Sequence, residues 1–169
     1  KGSEEMQEQE NIEEKLYKHH MPRWDELPDI ELYLDQVVNY LEKHLGIYVA
    51  NKEEKIITKT MINNYVKQEI MPAPEKKKYG KTHLAYLIVI CILKQVYSIN
   101  DIKRLIELTI QNFELRKAYN RFCTNLEVSV KHAFSKKEIQ NCEKMTEEQY
   151  LLKIVVQSFS NKLYVEFKF

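Results

Sequence analysis

Glycine is scarce in this chain, with three among 169 residues, and there are four prolines and one tryptophan. So few turn residues, set against 44% hydrophobic and 30% charged residues, predict long helices with few turns. The fold class read from composition is all-α. No Gly-rich phosphate loop, G-x-S-x-G or H-E-x-x-H pattern is present, and the carboxylates fall on polar helix faces, so catalysis is not expected. The three cysteines, Cys91, Cys123 and Cys142, are odd in number and form no C-x-x-C pair, which excludes a disulfide framework and a zinc ribbon. Cys91 and Cys123 lie in apolar stripes and read as core. Cys123 and Cys142 have no adjacent third ligand, so neither metal nor cofactor is expected. The strongest apolar run, Leu84 to Leu93, is too short to span a bilayer, and no apolar signal region opens the chain. A soluble, cytoplasmic protein is the expectation.

A dominant charge of one sign is missing as well. The net charge of +1 excludes a whole-surface polyanion binder and leaves only local asymmetry. Residues 1–16 carry six glutamates against Lys1 and Lys15, net −4, whereas residues 58–81 carry six lysines against Glu69 and Glu75, net +4. In this basic stretch, a step of 100° per residue from Thr58 gathers Met61, Ile62, Tyr65 and Val66 on one face. Thr60, Asn63, Asn64 and Lys67 gather opposite. A Pro-x-Pro break then stops the helix, and Lys76, Lys77, Lys78, Tyr79 and Lys81 surround Gly80 in a short basic loop. Helix then basic loop is the layout of a winged helix-turn-helix: amides suited to adenine edges, lysines suited to phosphates. The bland alternative is a solvated helix face beside a solvated loop.

The remaining elements follow from periodicity and capping residues. Residues 1–23 read as an acidic arm. Residues 24–111 read as the DNA-binding domain: Asp29 caps a helix with Leu34, Val37, Val38, Leu41 and Leu45 on one face, and a long connector leads to the Thr58 helix. Thr82 caps an all-round apolar helix, the domain's strut, and Ser98 with Asp101 starts another. Residues 112–169 read as an antiparallel hairpin of two long helices, the first over Phe113–Phe134 and the second opened by the capping box Thr146–Gln149. Its apolar surface exceeds one helix contact, which predicts a homodimer. Residues 163–169 suit either a helix end or a strand. His44, His83 and His132 are isolated and read as surface or cap residues. Tyr79 suits either a sugar–phosphate contact or an anchor for the loop.

With these elements placed, the chain resembles the DNA-binding domain of MerR-type regulators. Their pattern is a T-I-R-Y-Y helix, a G-L-hydrophobic-P turn, a wing ending R-Y, and a Leu/Ile-rich helix before F-S-L-x-E-I. Ile62, Tyr65, Ile70, Pro72, Lys78, Tyr79, Leu84 and Ser98 to Ile102 occupy the matching positions. With the lead-in W-D-E-L-P and L-Y-L-D-Q-V, the chain resembles still more closely a bacterial family called domain of unknown function 1836, over roughly residues 21–165. The resemblance implies a winged-helix transcription regulator that binds double-stranded DNA as a homodimer, with Thr60, Asn63, Asn64, Tyr65, Lys67, Lys76, Lys77, Lys78, Tyr79 and Lys81 as its DNA-contacting residues. Asn63 stands where MerR-type proteins place a DNA-contacting arginine, and Glu69 where they place a helix-ending glycine. No effector class carries over. The alternative is a protein-interaction module that keeps this fold without the DNA.

Overall fold

The computed structural model describes residues 12–136 and 144–169. In chain order these form α1 (residues 12–18), a 3₁₀ turn at Trp24–Glu26, β1 (Leu32–Tyr33), α2 (Leu34–Leu45), a second 3₁₀ turn at Gly46–Tyr48, and α3 (Lys59–Lys67). There follow β2 (Lys78–Tyr79), α4 (Lys81–Leu93), α5 (Ile99–Asn112), α6 (Leu115–Ser135) and α7 (Glu147–Glu166). The mostly helical expectation holds, with one correction. β1 and β2 pair antiparallel, Leu32 opposite Tyr79 and Tyr33 opposite Lys78. Strands of two residues carry no readable alternation, so only the pairing itself exposes them.

The local capping rules predict several helix starts. Ser98 Oγ accepts the Asp101 N–H at 3.2 Å. Thr146 Oγ1 accepts the Gln149 N–H at 3.2 Å while the Gln149 side chain accepts the Thr146 N–H at 3.1 Å, a closed capping box. Two other starts move. α2 begins at Leu34, not at Asp29, because the backbone first runs extended through β1; Asp29 pairs instead with Lys81 at 2.8 Å. α4 begins after Gly80, ahead of Thr82, and the His83 ring accepts the Gly80 N–H. The undecided tail stays helical through Glu166.

α4 is the centre of the fold. Eight of its residues are buried, including Leu87, Ile88 and Ile90 with no exposed surface, as an all-round apolar helix requires. The buried core is continuous from Leu16 to Leu163, so residues of the expected arm, DNA-binding domain and C-terminal region share it. Phe159 of α7 meets the Tyr48 ring edge-on at 6.0 Å.

The expected antiparallel hairpin is overturned. Phe134, near the end of α6, packs edge-on against Tyr164 and Phe167 near the end of α7, with ring centroids 5.4 and 5.9 Å apart. The first halves of the two helices also line one cavity together. α6 and α7 are therefore parallel. A 20-residue helix is about 30 Å long, and the eleven residues from 136 to 146 can reach that far at about 3.3 Å each, so the chain is free to return before α7 starts. The rule that adjacent helices pack antiparallel holds for short connections only.

Residues 17–25 run along α6 in the opposite direction. Lys131 lies over the Tyr17 ring, and Arg23 forks onto Glu127 at 2.8 and 2.9 Å. The Tyr119 hydroxyl donates to Pro22 O at 2.6 Å, Trp24 N–H donates to Asn120 at 2.8 Å, and Asp25 pairs with Arg116. This strap covers much of the α6 surface that periodicity alone leaves over.

Candidate nucleic-acid interface

The Thr58 hydroxyl accepts the Met61 N–H at 3.2 Å and fixes the start of α3. Ile62 and Tyr65 are buried, while Thr60, Asn63, Asn64 and Lys67 are exposed, which is the division of faces the sequence predicts. The helix ends in a Schellman motif: Ile70 N–H donates to Tyr65 O and Glu69 N–H to Val66 O, both at 3.1 Å, with Ile70 buried. Its left-handed residue is Glu69, at φ 54°, in the position that glycine fills most easily.

The basic loop is a two-residue hairpin turn. Glu75 and Lys78 exchange both backbone hydrogen bonds, N–H to O at 3.2 and 2.8 Å, and the central residues Lys76 and Lys77 have φ of 47° and 63°. That is the type I′ pattern, usually built from Asn-Gly. Two lysines hold it here at a steric cost of about 1 to 2 kcal/mol each.

The base of this hairpin is tied down. Tyr79 is 3% exposed and packs edge-on against His83 at 5.5 Å. Nδ1 of His83 accepts the Gly80 N–H at 3.0 Å, which leaves Nε2–H to donate to Ala73 O at 2.9 Å, so one ring spans both ends of the loop. The Lys78 ammonium lies 5.6 Å from the centroid of the Tyr33 ring. Two residues further on, Asp35 pairs with Lys59 at the start of α3. The junction of β1 and α2 thus touches both the hairpin and α3.

The ten predicted contact residues sort accordingly. Thr60, Asn63, Asn64, Lys67, Lys76 and Lys77 are exposed, and none of these three lysines has an ion-pair partner among the described residues. Lys78 is half-buried over Tyr33, and Lys81 is held by Asp29, whose carboxyl the Lys81 hydrogen bond and charge keep below its ordinary range. Tyr65 and Tyr79 are corrected. Burial pushes the Tyr65 hydroxyl up to about 12 and raises that of Tyr79; both rings are anchors in the core and not contact surfaces. Sequence reasoning missed Tyr33 and the bridging role of His83. A signal for the latter was available, since a histidine three residues after an N-cap glycine can reach back to it, as Glu or Gln does in a capping box.

Other candidate chemistry lies in the core. Burial pushes the Cys91 thiol up to about 12 and the Cys123 thiol up to about 11; Cys142 falls outside the described residues. Among the described residues no group of three or more His, Cys, Asp or Glu could hold a metal ion, and no helix is long and apolar enough to cross a membrane.

A family model described as a domain of unknown function, DUF1836, matches residues 22–122, more than half of the chain. The chain belongs to the DUF1836 family. The match takes in the end of the strap from residue 22, α2 to α5 and the first part of α6, so it ends well before the residue 165 suggested by the sequence resemblance. α7 lies outside the matched span. No curated protein and no solved structure matches the chain. None of these comparisons ties this DUF1836 protein to MerR-type regulators.

Proposed function

We propose that this DUF1836 protein is a cytoplasmic DNA-binding transcription regulator of bacteria, a binding protein and not an enzyme. It uses α3 and the Glu75–Lys78 hairpin as a winged helix-turn-helix resembling that of MerR-type proteins. The observation that carries the reading is the hairpin tip. Two lysines without ion-pair partners among the described residues occupy left-handed positions that asparagine and glycine fill at less cost, and strain of this kind clusters where function holds it in place. Asn63, Asn64 and Thr60 face outward one element away, with donors and acceptors suited to base edges in a major groove. A palindromic site would require a second copy, for which Ile110, Val128, Tyr150 and Leu151 remain as exposed apolar residues.

Duplex selection from random sequence, followed by titration against salt, tests the proposal. Lys67, Lys76, Lys77 and Lys78 correspond to a slope of log affinity on log salt of roughly −3.6 per protomer, at about −0.9 per phosphate. Asn63→Ala and Asn64→Ala should each relax preference at one base pair by roughly 1 to 3 kcal/mol without changing that slope. A second reading rests on β1 and its approach, where Ile30 and Tyr33 are 70% and 57% exposed between Asp29, Glu31 and Asp35. Exposed apolar residues among carboxylates suit a protein partner. Absence of any enriched sequence, with retention indifferent to salt, would leave that reading in possession of the surface.

A further inference from the structure

The four helices α4, α5, α6 and α7 line a partly open cavity of about 230 Å³. Its cause is visible in α5. Only Ile102 of that helix is buried; Leu105 and Ile106 are half-buried, and Ile110 is 46% exposed, so the apolar stripe loses its cover toward the helix end. Ala85 of α4 and Ala118 of α6 line the gap with side chains too short to fill it, while Val155 and Val156 of α7 are buried in its wall. An apolar cavity of about 150 Å³ is enough to hold benzene. In proportion, this one takes roughly ten non-hydrogen atoms.

The charged groups that line the cavity among the described residues are of one sign. Among the described residues no aspartate or glutamate lines it, whereas Lys117 and Arg121 do, both on the exposed side of α6. Lys117 has a weak pairing with Glu114 at 3.5 Å, and no ion pair engages Arg121 among the described residues. An apolar chamber with cations at its mouth selects an amphiphile whose charged end is an anion.

We infer that the cavity between α4, α5, α6 and α7 is a binding site for a small apolar monocarboxylate, with the hydrocarbon body against Ala85, Ala118 and Val156 and the carboxylate at Lys117 and Arg121. This site is separate from the DNA-facing surface, and its test needs no DNA. Calorimetric titration of the full chain with octanoate, 1-octanol and octylamine compares one apolar body with three head groups. Octanoate binds at least tenfold more tightly than octanol, and octylamine weakest of the three. In the Lys117→Gln, Arg121→Gln double variant, octanoate falls to the level of octanol, whose own affinity is unchanged. With ¹³C-methyl alanine labelling of the unmodified chain, octanoate shifts the Ala85 and Ala118 methyl signals more than those of the other alanines. Equal binding of octylamine, or octanoate-induced shifts confined to other alanines, would overturn the assignment. So would the absence of binding by all three together with a dimer that Ile110→Glu dissociates, since a second copy would then be what covers the cavity mouth.

Discussion

Replacing the hairpin tip by its unstrained equivalent, Lys76→Asn with Lys77→Gly, should make the protein more stable and a worse DNA binder. Both residues have left-handed backbones, which cost a lysine about 1 to 2 kcal/mol each relative to glycine. Asparagine tolerates the conformation, and glycine adopts it freely while returning roughly 0.5 to 1 kcal/mol through the added freedom of the unfolded chain. The net gain for the pair is roughly 1 to 2 kcal/mol, a rise in melting temperature of about 2 to 8 °C for a domain of this size. The same change removes two cations that have no ion-pair partner among the described residues. The salt slope should flatten by about 1.8, and affinity for a random duplex should fall roughly thirtyfold near 0.15 M salt. Thermal unfolding followed by circular dichroism and fluorescence anisotropy across a salt series read the two effects on one preparation. A lower melting temperature would show that the tip is not strained. A higher one with an unchanged salt slope would show that these lysines do not meet phosphate.

Two further expectations concern the rest of the fold. Burial pushes the Glu127 carboxyl up, but the hydrogen bond and charge of Arg23 and the Met21 N–H at 2.7 Å hold it, on balance, below its ordinary value of 4.5. A carboxyl depressed by folding contributes stability that is complete above that value and disappears as pH falls through its lower folded value. The protection of residues 19–24 against hydrogen exchange should therefore fall as pH drops below that ordinary carboxyl value, and Glu127→Gln should abolish that pH step while costing roughly 2 to 4 kcal/mol at pH 7; a step that survives in the variant would point to another carboxyl. Phe159→Ala should cost about 3 to 5 kcal/mol in urea unfolding, because the ring is 1% exposed between α7 and Tyr48, and a loss under 1 kcal/mol would mean that α7 is not integral to the core.

How far the sequence reaches depends on the range of the interaction being read. Thr58, Ser98 and Thr146 each cap a helix through a contact three residues away, so each start is legible in isolation. Glu69 is recognisable as a misfit for the same reason, since the left-handed end of α3 is a local necessity and only its occupant is unusual. The division of α3 into a core face and a face of Thr60, Asn63, Asn64 and Lys67 follows from helical period alone. Periodicity reports that a surface is apolar without reporting what covers it. For α6 the cover is a strap from residues 17–25 and a parallel α7, where the stripes alone suggest an antiparallel partner. The type of Tyr79 does not decide between a loop anchor and a contact surface; its burial and its pairing with Leu32, from a distant part of the chain, do. The cavity beside α5 belongs to the same class, because an unfilled volume is a property of four helices meeting and is written in none of them singly.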